Sequence, residues 1–103
     1  MNDDLAVKCL SAMGHMGRIN LIRHLIQAGP QGLSAGRLAE LGSVGAPTAS
    51  AQLLVLSTAG LVASRREGRH IIYHAEFGQL AAVMTYLMQD CCGGKIAVPQ
   101  LVT

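Results

Sequence analysis

Cys91 and Cys92 are adjacent near the C-terminal end of the chain and are followed by Gly93 and Gly94. Neighbouring Cα atoms stand ~3.8 Å apart across a trans peptide, short of the roughly 4.4–6.8 Å that a disulfide spans. The pair is therefore poorly placed to oxidise to itself. It is well placed to clamp one soft, thiophilic atom, because thiolate sulfur selects soft ions. Cys91 continues an apolar helical stripe and could be packing, whereas Cys92 is turned about a hundred degrees away and has no packing role. Cys9 lies near the other end of the chain. It is either a third sulfur for the same atom or a small apolar residue on a helix stripe, the common fate of a free cysteine.

A second cluster is Ser64-Arg65-Arg66-Glu67-Gly68-Arg69-His70. Arg65, Arg66 and Arg69 around one tight turn make a positive prong suited to phosphates or a minor groove; the plainer alternative is a solvated turn with a chance charge cluster. His70 and His74 share a strand face and could take zinc. No cysteine or carboxylate sits beside them in sequence and a structural zinc site wants four ligands, so they read as polar surface. The methionines suggest copper(I), but Met13, Met84 and Met88 fall on apolar stripes and read as core. No nucleophile–base spacing, phosphate loop or carboxylate dyad is present, so an enzyme is not expected.

Bounds come from composition. With 103 residues, half of them apolar, one domain is expected, marginal alone and helped by oligomerisation through its apolar ends. Net charge is only +2, so any nucleic-acid contact must come from local arginines. Free thiols and the acidic Asn2-Asp3-Asp4 start point to a reducing, cytoplasmic location without a signal peptide. Residues 41–64 carry no charge, but Gly42, Gly45, Pro47 and Gly60 interrupt them, so no membrane span is expected.

The elements that would hold these residues are five helical segments and one hairpin, in the order ααααββα. Leu5, Cys9, Leu10 and Met13 give the inner face of a first helix over 3–13, stopped by Gly14. Ile19, Ile22, Leu25 and Ile26 mark a second over 17–28, ended by Gly29-Pro30. Ser34 caps a short third helix through Leu41, with Leu38 and Leu41 inward. A turn over 42–45 leads to a fourth helix with Pro47 in its first turn and Gly60 as its left-handed cap. Leu53 and Leu56, together with Leu54, are assigned inward. Strands over 61–66 and 69–75 flank a Glu67-Gly68 turn. Phe77, Leu80, Met84, Leu87, Met88 and Cys91 mark a last helix from Glu76 to Cys92. Residues 1–94 form the domain and 95–103 a flexible tail.

Helix, short helix, turn, helix and basic hairpin is the order of a mainly α winged helix-turn-helix. Its second helix enters a major groove, where side chains reach base edges. Here that helix exposes Thr48, Ser50, Ala51 and Gln52. Gln can bond an adenine edge in two places, and Ser and Thr are less selective.

The chain resembles the ArsR/SmtB family of winged-helix metal-responsive repressors. The resemblance rests on Met13-Gly14-His15 through Arg18, on Ala46-Pro47-Thr48-Ala49-Ser50-Ala51-Gln52-Leu53, on Ala59-Gly60-Leu61-Val62 and on the arginine hairpin, and it covers about residues 5–94. The stretch Tyr86 to Gly94 resembles the arsenical-sensing branch. The resemblance implies a homodimer formed by the first and last helices, bound to a palindromic double-stranded operator and released by trivalent arsenic or antimony. No constitutive cofactor is implied. The chain departs from the family where Gln52 replaces a common His, where Leu54 replaces a basic residue, and where a third cysteine beyond the pair is missing. Arsenite favours three sulfurs, so it would need Cys9, from either subunit; methylarsenite needs only Cys91 and Cys92. Zinc sensors of the family use Asp and His on the last helix, which here offers only Glu76 and Asp90. A thiol-redox or persulfide-responsive repressor using the same cysteines is the alternative.

Overall fold

The computed structural model describes residues 1–89. Helix α1 spans Asp3–Met13, with the Asn2 side chain accepting from the Leu5 amide at 2.8 Å and Asp3 and Asp4 in the first turn, where their charge complements the helix dipole. Helix α2 spans Met16–Ala28 and starts one residue earlier than expected, because His15 caps it through Nδ1, which accepts from the Gly17 amide. Helix α3 spans Ala35–Gly42 and is capped by Ser34, whose hydroxyl accepts from the Arg37 amide at 3.1 Å. Ser43, at φ +54°, turns the chain toward helix α4, Ala46–Thr58. Pro47 lies in the first turn of α4, and Gly60 follows its end at φ +76°.

The sheet has three strands, not two. Leu33–Ser34 forms β1, Val62–Glu67 β2 and His70–Ala75 β3, antiparallel in the order β1-β3-β2. A 3-10 turn over Gly29–Gln31 leads into β1. Two residues are too short to show an alternating pattern. The readable signal is Gly32: it sits at φ +70°, and a Cβ there would overlap the Tyr73 carbonyl. The β2–β3 turn is also displaced by one residue. Glu67 pairs with His70, so Gly68 and Arg69 form the turn rather than Glu67 and Gly68. Gly68, at φ +62°, takes the first central position, where a type II′ hairpin requires positive φ.

The core joins Cys9 of α1, Leu21, Ile22 and Leu25 of α2, Leu38 of α3, Leu53 and Leu56 of α4, Leu61, and Val83 of helix α5, Phe77–Met88. Several inward assignments are corrected. Leu10, Ile19 and Ile26 face outward, and Leu54 is 68% exposed. In α1 the buried face is Ala6, Cys9 and Ala12. Small residues let the helix approach closely, which a stripe drawn through large side chains misses. No side chain that is polar or charged is buried among the described residues. The architecture is a winged helix-turn-helix: α3 and α4 with their short turn, then the β2–β3 wing. Among the described residues no helix is long and apolar enough to cross a membrane. Helix α5 ends at Met88, four residues short of the expected Cys92, because Gln89 leaves helical geometry at ψ 138° and caps it; the expected tail over 95–103 lies outside the described residues.

Candidate nucleic-acid interface and thiol groups

Helix α4 carries no charged residue. Ala49, Leu53 and Leu56 are buried, at spacings of four and three residues, and this decides which face is free. Pro47, Thr48, Ser50 and Ala51 are exposed in its first two turns, the part of a recognition helix that meets base edges. Gln52 behaves differently. It is half-buried, and its Oε1 accepts from Arg18 Nη1 at 3.2 Å. The same guanidinium donates through Nε to the Ala12 carbonyl at 2.6 Å and through Nη2 to the Ser11 carbonyl at 3.4 Å. Helix α1 has no basic residue in its last turn. Arg18 supplies from α2 the positive charge that its terminal carbonyls favour. Arg18 is visible in the sequence only as a matching position, because its three acceptors become neighbours on folding.

In the wing the three arginines separate into two kinds. Arg65 donates through Nε to Glu67 at 2.6 Å, through Nη1 to the Pro30 carbonyl at 3.2 Å and through Nη2 to the Gln31 carbonyl at 2.6 Å. It fastens the wing to the turn before β1. Arg66, opposite Ile71, and Arg69, in the turn itself, are exposed. Neither makes an ion pair among the described residues. The prong therefore offers two uncommitted guanidiniums near its tip. The Arg65–Glu67 pair is legible as two residues on one strand face; the carbonyls some 35 positions away are not.

Cys9 is fully buried, and its thiol donates to the Ala59 carbonyl at 3.4 Å. Gln79 Nε2 donates to the same carbonyl at 3.1 Å and stands 3.5 Å from the Cys9 sulfur. Gln79 lies in the first turn of α5, so Cys9 packs roughly 14 Å along the helix axis from Met88 at the far end. Cys91 and Cys92 lie outside the described residues.

Two apolar surfaces are left open. Val7 and Leu10 of α1 and Phe77, Leu87 and Met88 of α5 are exposed, and Val83 is the only buried residue of α5. The helices themselves pack together. Separately, a shallow groove of ≈ 360 Å³ between α1 and α4 is lined by Lys8, Ser11, Arg18, Leu54, Val55 and Thr58, among others.

No protein-family model matches this chain, and no curated protein sequence matches it. Solved structures do. An ArsR-like transcriptional regulator from Rhodococcus sp. RHA1 superposes with a TM-score of 0.73 at 26% identity, over 82% of this chain and 76% of its own. The transcriptional repressor BigR of Xylella fastidiosa gives 0.65 at 29% identity, over 86% and 88%. The homodimeric winged helix-turn-helix DNA-binding domain of Mb0332 from Mycobacterium bovis gives 0.67 at 23% identity, over 87% and 89%. The last of these supports the fold alone; the first two add that the structural neighbours are transcriptional regulators.

Proposed function

We propose that this protein is a homodimeric, DNA-binding transcriptional repressor that leaves its operator when trivalent arsenic or antimony binds Cys91 and Cys92. The observation that carries the DNA-binding half is the free N-terminal face of α4, with Thr48 and Ser50 outward, beside a wing whose Arg66 and Arg69 are uncommitted. The likeness to an ArsR-like transcriptional regulator and to a transcriptional repressor supports it. Thr48 and Ser50 reach base edges; Arg66 and Arg69 hold phosphates or the minor groove. Arg65 positions the wing.

Dimerisation follows from the exposed apolar residues of α1 and α5. Covering large apolar side chains contributes about 1.5–3 kcal/mol each when complete. Two recognition helices then meet DNA about one turn apart. An inducer bound just past α5 acts on the helix that sets this spacing, and coupling of ~1–3 kcal/mol, a 5–150-fold change in affinity, is usual for such switches. Cys9 has no exposed surface and its thiol is already bonded to Ala59. Its recruitment as a third sulfur requires α1 to move off the end of α4, so the two-sulfur site and a methylated arsenical are favoured.

The test is operator binding by the reduced protein, followed by titration with methylarsenite and then arsenite. Wild type releases DNA with methylarsenite, whereas Cys92→Ser binds DNA equally well and keeps it. Equal release by both proteins removes Cys92 from the site. Release by peroxide or persulfide with no response to arsenicals moves the assignment to a thiol-redox switch.

A further inference from the structure

One side-chain to side-chain hydrogen bond joins α4 to another element among the described residues: Arg18 Nη1 to Gln52 Oε1, at 3.2 Å. Its direction is fixed by chemistry. A guanidinium only donates, so the oxygen of the Gln52 amide must face it and the nitrogen must point away. The nitrogen lies against the first turn of α2: a Cβ on Gly17 would stand 3.3 Å from Gln52 Nε2. Both ends of the amide are thus located, the oxygen on Arg18 and the nitrogen over Gly17, where the His15 ring borders the same space at 3.3 Å from that Cβ position. No side-chain nitrogen or oxygen is both buried and unpartnered among the described residues, so Nε2 keeps access to solvent.

We propose that Arg18 is a specificity-determining residue that acts through Gln52, fixing its amide so that the donor end is presented to DNA. The proposal rests on the DNA-binding reading above. A free glutamine matches adenine, which presents an N7 acceptor beside an N6 donor and so needs both ends of the amide. With the oxygen held in a charge-assisted bond, about twice as strong as a neutral one, Gln52 leads with its two N–H groups; the second lone pair of the oxygen stays on the Arg18 side of the amide with the first. The major-groove edge that answers two donors is guanine, with N7 and O6. Arg18 is itself anchored on the Ala12 and Ser11 carbonyls, so the amide cannot carry the guanidinium outward with it without uncapping α1.

The experiment is selection of bound sequences from a randomised duplex pool, run in parallel on wild type, Arg18→Met, Gln52→Ala and Gln52→Glu. Wild type is expected to enrich guanine at one position of each half-site, and Gln52→Ala to lose the preference there. Arg18→Met frees the amide oxygen and is expected to shift that position toward adenine by about tenfold. Gln52→Glu keeps the Arg18 contact without the donors and loses guanine as well; because it leaves α1 capped, it stands as the control if Arg18→Met unfolds. A uniform loss of affinity in Arg18→Met without a change in base preference would make Arg18 purely structural and overturn the proposal, as would guanine preference surviving in Gln52→Glu. If wild type enriches no sequence, the DNA-binding reading fails and this inference goes with it. If wild type enriches adenine at the Gln52 position, the reading stands and the inference alone fails.

Discussion

Helices α4 and α5 have 13 and 12 residues, carry no charged side chain, and meet solvent in opposite ways. Helix α4 buries Ala49, Leu53 and Leu56 and shows Thr48 and Ser50 at its N-terminal end, with Leu54 and Val55 exposed only in its C-terminal half. Helix α5 buries Val83 alone and leaves Phe77, Leu87 and Met88 outside. The first arrangement suits a wet, hydrogen-bonding partner such as a major groove. The second is stable only against another apolar surface. Absence of charge therefore does not name the kind of interface; the polar atoms on the free face do.

The largest effect is expected where the α5 face is made polar. Leu87→Glu places an unpaired carboxylate in each half of the proposed dimer interface, and desolvating a lone charge is costly. The dimer dissociation constant should rise about a thousandfold, read by sedimentation, with helical content retained. A Leu87→Glu protein that still sediments as a dimer would move the interface off α5 and dissolve the contrast with α4. The next effect belongs to the inner side of α4. Leu53 is fully buried, and Leu53→Ala should lower unfolding free energy by about 3 kcal/mol through reduced burial and the cavity left behind. Chemical denaturation of the two variants at one protein concentration separates these cases: Leu53→Ala weakens the fold itself, and Leu87→Glu weakens it only through association.

The parts of this molecule legible in the sequence are those specified within a few residues. Ser34 announces the start of α3, Pro47 the first turn of α4 and Gly60 its end, because caps and φ preferences are local. The limits of α1 to α4 follow to within a residue or two, whereas α5 stops at Met88, short of the expected Cys92, because an unbroken apolar stripe carries no stop signal at Gln89. What is not legible depends on partners about thirty or more positions away. Strand β1 exists because Leu33 meets Tyr73. Arg65 is committed because the Pro30 and Gln31 carbonyls lie under it. Gln52 is half-buried because Arg18 reaches across from α2. The faces of α1 and α2 differ from expectation for a related reason: periodicity gives a stripe, and the neighbour's shape decides its rotation. Of the proposed DNA-binding residues, Thr48, Ser50, Arg66 and Arg69 keep free surfaces, whereas Arg65 and Gln52 already have partners.

That division within the wing gives the smallest effect and the finest comparison. Arg66→Ala should weaken binding to every sequence and lower the slope of affinity against salt by about 1 per protomer, as expected when one phosphate is no longer neutralised by the protein. Arg65→Ala should leave that slope close to wild type. Its cost falls on the wing, at about 1 kcal/mol for the missing hydrogen bonds after exchange with water, and shows as faster amide exchange in β2 and β3. Both residues carry the same charge and stand next to each other, so long-range electrostatics alone would give them equal slopes. A slope change of equal size in the two variants would mean that Arg65 leaves the Pro30 and Gln31 carbonyls on binding DNA. The wing would then present three cations to the double helix, as its run of arginines suggests.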